Sequence, residues 1–118
     1  MAHKVFVYGT LLKGEYNNYL LETSDLIGPD RVCGFSMRDL GKFPACIPDA
    51  DVQKVVVGEV WEVDDDTFAR LDHLEGYPSF YDRVQVPTFA GDAWMYINKN
   101  ANNRPEIESG DWRQYLGR

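Results

Sequence analysis

The sequence predicts a small mixed α/β (α+β) fold, rich in strands and interrupted by two short helices. Three observations predict it. The chain has 118 residues, the size of one domain with one real core and no need of metal or disulfide staples. Two segments, Lys4–Tyr8 and Lys54–Val63, carry the β-branched and aromatic residues of strands. A third, Asp64–Glu75, has helical periodicity with a start signal before it and a stop signal after it.

Taken in order, Lys4–Tyr8 is apolar on both faces, with Val5 and Val7 on one side and Phe6 and Tyr8 on the other. That suits a central or barrel strand, ended at Gly9. Tyr16–Glu22 is expected as a short helix turning Tyr16, Leu20 and Leu21 inward, and Leu26–Leu40 as one or two strands broken at Gly28-Pro29 and Gly34. Pro44 and Pro48 mark Gly41–Asp49 as an irregular loop. After the Lys54–Val63 strand, Asp64-Asp65-Asp66-Thr67 opens a helix, where carboxylates cap free N–H groups and meet the positive end of the dipole. Gly76 ends it in the left-handed region, with Pro78 beyond. Tyr81–Phe89 and Asp92–Asn98 are expected as strands joined by a turn at Ala90-Gly91, followed by a loop and then a last strand or tail over Ile107–Tyr115.

A hydrophobic fraction of 44% with 26% charged residues argues against both disorder and a membrane span. Nineteen acids against twelve bases leave a net charge of −7, which works against binding nucleic acid. Two cysteines, Cys33 and Cys46, without metal-ligand spacing suggest reduced thiols, and no basic segment with an apolar stretch opens the chain. Cytoplasmic localisation is the expectation.

Among candidate chemistry, Glu75 stands out by position. Phe68, Leu71 and Glu75 fall at i, i+3 and i+7, which turns the glutamate inward with the apolar stripe. The negative end of the helix dipole and the nearby Tyr77, Phe80 and Tyr81 both act to raise its pKa, as a general acid/base requires. The alternative is a frayed helix end with the glutamate in solvent. Glu59 shares a strand face with Val57 and Trp61 and is expected in a framework role, paired with Arg83 or a tyrosine hydroxyl. Asp72 is expected at the surface or against the helix backbone. Tyr8-Gly9-Thr10-Leu11 offers either a nest of backbone N–H groups that binds an anion or a plain tight turn. No phosphate-loop pattern surrounds Lys13-Gly14, no nucleophile elbow surrounds Ser36 or Ser79, and His3 and His73 have no catalytic setting.

With these segments placed, the chain resembles the γ-glutamylcyclotransferase-like (AIG2-like) superfamily. Val5-Phe6-Val7-Tyr8-Gly9-Thr10-Leu11 resembles its substrate-loop signature, and Leu71–Arg83 resembles its L-D-x-x-E-G-x-x-x-x-Y-x-R segment. Val57–Trp61, Ala93–Tyr96 and Glu108–Trp112 are similar to small bacterial members. The resemblance implies a small mixed α/β barrel with its cavity at the Y-G-x-x loop. It also implies conversion of a γ-glutamyl compound to 5-oxoproline and a free amine, with Glu75 as the catalytic residue. Tyr8, Gly9, Thr10, Leu11 and Tyr81 would then bind a small-molecule substrate. The Y-G-T-L form resembles the γ-glutamylamine branch.

Such a reaction needs no metal or cofactor, because the nucleophile is the substrate's own α-amine and ring closure is intramolecular. Two further readings keep the same cavity. One is a non-catalytic module that binds an amino-acid-like ligand; the other removes a γ-glutamyl protecting group from a biosynthetic intermediate.

Overall fold

A computed structural model of the chain describes all 118 residues. Eight strands form a five-stranded and a three-stranded sheet. The first strand, β1 (His3–Val7), lies at the centre of the larger sheet, whose order is β2 (Asp25–Cys33), β5 (Val55–Val63), β1, β7 (Gly91–Ile97) and β6 (Asp82–Thr88). β1 runs antiparallel to β5, from His3 opposite Val63 to Val7 opposite Glu59, and parallel to β7. The smaller sheet has the order β4 (Pro44–Pro48), β3 (Phe35–Asp39) and β8 (Glu106–Ile107).

The central placement of β1 follows from its two apolar faces. Val5 and Val7 join one core cluster with Leu11, Leu12, Phe68 and Leu71, whereas Phe6 and Tyr8 join a second with Val56, Val60, Met95 and Trp112. The larger sheet coils until its outer strands meet. There the Phe89 amide donates to Asp30 Oδ2 at 2.9 Å, and a Cβ on Gly28 would come within 3.2 Å of the Phe89 ring. The barrel is thus closed by side-chain and loop contacts rather than by a strand ladder.

Helix α1 (Asp65–Glu75) begins and ends where its sequence signals lie. Asp64 accepts from the Thr67 amide at 2.7 Å, and Gly76 adopts φ 66°, a left-handed cap. Between those caps Phe68 and Leu71 are buried, and the last residue of the helix is Glu75.

Several expectations are corrected. The helix expected over Tyr16–Glu22 is a single 3-10 turn, Asn18–Leu21, and of its three inward residues only Leu21 is fully buried; Tyr16 is 65% exposed. β2 runs through Gly28-Pro29 with a bulge between Leu26 and Gly28, and the break falls at Gly34 alone. The expected loop at Gly41–Asp49 contains β4, bounded by its two prolines. Because β4 is an edge strand, prolines at its ends cost the ladder little. The segment before β8 is a second 3-10 turn, Lys99–Asn103, and the chain closes with a short helix, α2 (Trp112–Tyr115).

Asp64→Ala should lower stability by about 1 kcal/mol, the usual cost of an N-cap. Thermal unfolding measures it, and an unchanged midpoint would contradict the capping role.

Candidate active site

A cavity of about 190 Å³ opens where the end of β1, the end of α1 and the start of β4 converge. Its floor is the segment Val7–Leu11, which crosses from β1 into the following turn. Pro44 closes one side, and the end of α1 contributes Leu74 and Glu75. Tyr81 enters just before β6, and Tyr96 comes from β7. Tyr16, Phe43 and Phe80 stand at the mouth. All six residues singled out from sequence, Tyr8, Gly9, Thr10, Leu11, Glu75 and Tyr81, therefore meet in one cavity.

Gly9 is required for a reason other than turn conformation, since its φ is not positive. A Cβ there would fall 2.7 Å from Pro44 Cγ, so only glycine lets the floor pass beneath Pro44. The amides of Gly9, Thr10 and Leu11 donate to no protein acceptor. Consecutive free N–H groups are what an anion-binding nest would require. The Thr10 carbonyl accepts from the Asn17 amide at 3.0 Å, and the Asn17 side chain donates to Thr10 Oγ1 at 2.9 Å, which hold the turn in shape.

Glu75 is half-buried, and its carboxyl forms neither a hydrogen bond nor an ion pair, although its backbone carbonyl accepts from the Tyr81 amide at 3.2 Å. Burial alone raises its carboxyl from 4.5 to about 7. The tyrosines around it do not relieve this, because each hydroxyl proton is donated elsewhere. Tyr8 donates to the Tyr96 carbonyl, Tyr81 to the Pro44 carbonyl and Tyr96 to Asp72 Oδ1, each at 2.7 Å. Burial pushes all three phenols above their ordinary value, so they remain protonated donors at neutral pH.

The two other acids singled out from sequence, Glu59 and Asp72, are paired. Glu59 accepts from the Lys13 amide at 2.9 Å and from Trp61 Nε1 at 3.2 Å, and it meets Arg113 Nη2 at 3.2 Å. It holds the start of the turn after β1 to α2, which agrees with a framework role; its cation, however, is Arg113 and not Arg83. Arg83 lies 3.5 Å from Asp72 and packs its guanidinium against the rings of Phe68, Tyr77 and Trp94 at 4.3–4.7 Å. Asp72 is consequently no surface group: it joins Arg83 on β6 to Tyr96 on β7. These pairs join residues 11 to 54 positions apart in sequence, so local pattern could not have chosen the partners.

Sequence reasoning missed Tyr96 as a cavity residue and Tyr16, expected to turn inward on a helix, as part of its rim. On β7, Ala93, Met95 and Ile97 are buried on one face, and Tyr96 lies with Trp94 on the other; that aromatic alternation is the signal that could have found it.

Residues 5–114 match the family model described as "Gamma-glutamyl cyclotransferase, AIG2-like". The chain belongs to this family. It is 40% identical over 116 residues to a Vibrio cholerae protein named as a candidate gamma-glutamylcyclotransferase, covering 97% of this chain and 98% of that one. It is 33% identical over 110 residues to the gamma-glutamylcyclotransferase family protein YtfP of Escherichia coli K12, covering 92% and 95%. Among solved structures it is similar to the uncharacterized protein PH0828 of Pyrococcus horikoshii, with TM-score 0.84 and 27% identity over 97% of this chain and 92% of that one. The mixed, strand-rich AIG2-like fold with short helices is thus established, and no helix is long and apolar enough to cross a membrane.

The Glu75 environment has a thermodynamic signature. With a folded-state pKa above the unfolded value, this group's contribution to stability is complete below about pH 4.5 and is lost as pH rises through about 7. The difference in unfolding free energy between wild type and Glu75→Gln should therefore decline across that window and level off above it. A flat or rising difference, measured by denaturant titration at several pH values, would contradict the burial of this carboxyl.

Proposed function

We propose that this family member cyclises a γ-glutamyl amide to 5-oxoproline and releases the free amine, with Glu75 as general acid and base. The observation that carries the reading is that the Glu75 carboxyl, without a hydrogen-bond partner, lines the same small cavity as Gly9, Thr10 and Leu11, whose amides donate to no protein acceptor.

The substrate presents an α-ammonium, an α-carboxylate and a γ-carbonyl. With its pKa near 7, Glu75 is about half ionised at neutral pH and takes a proton from the ammonium. The freed amine attacks the γ-carbonyl carbon and forms the five-membered ring. Glu75 passes this proton to the departing nitrogen and takes the second proton from the ring nitrogen of the tetrahedral adduct, so the amide C–N bond breaks, the carbonyl re-forms and the ring keeps its single lactam N–H; the second proton follows onto the released amine, which leaves as an ammonium ion. One carboxyl completes the cycle without net proton change because both protons it accepts from the attacking nitrogen are given up to the departing one. The floor amides hold the α-carboxylate or the developing oxyanion, and stabilisation of this kind depends on backbone geometry rather than on the side chains of Thr10 and Leu11. Tyr8 and Tyr81 form the wall against which the glutamyl chain bends. Bringing amine and carbonyl together is worth on the order of 7 kcal/mol in well-oriented cases, so the protein need supply only folding of the chain and proton transfer.

The test is 5-oxoproline release from a panel of γ-glutamyl amides and γ-glutamyl amino acids. Glu75→Gln should reduce kcat/KM by about a hundredfold or more, whereas Glu59→Gln should lower stability and retain turnover. The acid limb of kcat/KM against pH should have an apparent pKa near 7. No release from any compound, with ligand-induced thermal stabilisation intact, would make the protein a binding module. Undiminished turnover by Glu75→Gln would remove this residue from the mechanism.

A further inference from the structure

The segment Glu108–Trp112 takes no part in the chemistry above, yet it is firmly seated. The Gly110 carbonyl accepts from the Val57 amide at 2.8 Å, a Cβ on Gly110 would fall 1.9 Å from the Val55 carbonyl oxygen, and Trp112 is buried in the second core cluster. This seating brings α2 to the turn after β1, where two arginines reach across. Arg113 Nη1 donates to the Lys13 carbonyl at 2.9 Å, 100 positions away in sequence. Arg118 donates to both carboxylate oxygens of Glu15, at 2.9 and 3.1 Å. The Arg118 amide also donates to the Arg113 carbonyl, which ties the two arginines together.

These contacts fall on either side of Gly14, whose φ is 90° and where a Cβ would meet nothing. A glycine so unconstrained leaves the turn to be held by its neighbours. Each carbonyl from Gly9 to Lys13 has a donor: the Leu12 amide for Gly9, the Asn17 amide for Thr10, Asn18 Nδ2 for Leu11, the Glu15 amide for Leu12 and Arg113 for Lys13. The C=O and N–H of one trans peptide point in opposite directions, so fixing the Gly9 and Thr10 carbonyls also fixes where the Thr10 and Leu11 amides aim. Glu15 is central to this chain of bonds, since its carbonyl also accepts from the Asn18 amide at 3.1 Å. Its side chain is 3% exposed and pairs with Arg118 alone, so loss of that arginine strands a buried charge within the turn.

Resting on the cyclotransferase reading, in which the floor amides hold the substrate's carboxylate or oxyanion, we infer that Arg113 and Arg118 are positioning residues for that anion site. They touch none of the cavity-lining residues and act through Lys13 and Glu15 on the direction of amides further up the turn. Glu59→Gln differs from loss of either arginine, because glutamine keeps an acceptor for the Lys13 amide and leaves the bond from Arg113 to the Lys13 carbonyl in place.

The test pairs turnover with binding of 5-oxoproline, followed through the ¹H–¹⁵N shifts of the Thr10 and Leu11 amides. Arg113→Met and Arg118→Met, at a temperature where both are folded, should each lower kcat/KM and weaken 5-oxoproline binding by about tenfold or more. Arg113→Lys and Arg118→Lys, which keep a donor and the charge, should restore most of both. If Arg118→Met fails to fold, Glu15→Gln with Arg118→Met removes the tie without stranding a charge and should show the same two losses. Lys54→Gln breaks ion pairs with Asp49 and Glu106 that touch neither turn nor cavity, so it should lower the thermal midpoint and leave kcat/KM unchanged. Wild-type turnover with kcat/KM and Kd of the methionine variants within about twofold of it would overturn the positioning role and uphold the cyclotransferase. No turnover by wild type, with 5-oxoproline binding weakened in the variants, would uphold the positioning role and overturn the cyclotransferase. Thr10 and Leu11 amides that do not shift on titration of wild type would overturn the inference whatever the turnover.

Discussion

The site depends on keeping one carboxyl, that of Glu75, partly withdrawn from water and without a hydrogen-bond donor. Three phenols surround it, and any of them would lower its pKa by donating to it. Each is instead bonded to a fixed acceptor in the fold. Tyr8 ties the end of β1 to β7 through the Tyr96 carbonyl and also accepts from the Cys46 amide in β4 at 3.2 Å. Tyr81 ties the approach to β6 to β4, and Tyr96 ties β7 to α1. The bonds that join the two sheets and the helix are thus the bonds that leave Glu75 undonated, and fold integrity and acid strength are coupled.

The ionic pairs are arranged in the same spirit. Glu59 and Asp72 are held by arginines at sites where a lone buried charge would destabilise the fold. Arg83 satisfies part of its charge on aromatic faces, which leaves it against Phe68, Tyr77 and Trp94. Glu75 stands beside this network with no cation of its own. That contrast between paired and unpaired carboxylates distinguishes the candidate acid/base from framework acids more sharply than burial does, since Glu59 is the more buried of the two glutamates.

Much of this was legible in sequence where local physics sets the outcome. The two apolar faces of Val5–Tyr8 demanded a central strand; Asp64 and Gly76 bounded α1; and the stripe through Phe68 and Leu71 carried Glu75 inward. The family resemblance converged on the same glutamate and added the expected chemistry. What was not legible depends on distant partners. β4 was hidden because Pro44 and Pro48 read as turn residues until their edge position is known. The partners of Arg83 and Glu59 are chosen by sheet order and by a C-terminal helix 54 residues away from Glu59. Gly9 was singled out for its turn conformation, whereas the contact that requires glycine there is with a proline 35 residues further along the chain.

The pKa of Glu75 itself tests the account most directly. The protein labelled with ¹³C at glutamate side chains should show one carboxyl that titrates near pH 7, absent from the spectrum of Glu75→Gln. A Glu75 resonance titrating near 4.5 would mean that the carboxyl is solvated or donated to, and the proton shuttle built on it would fall.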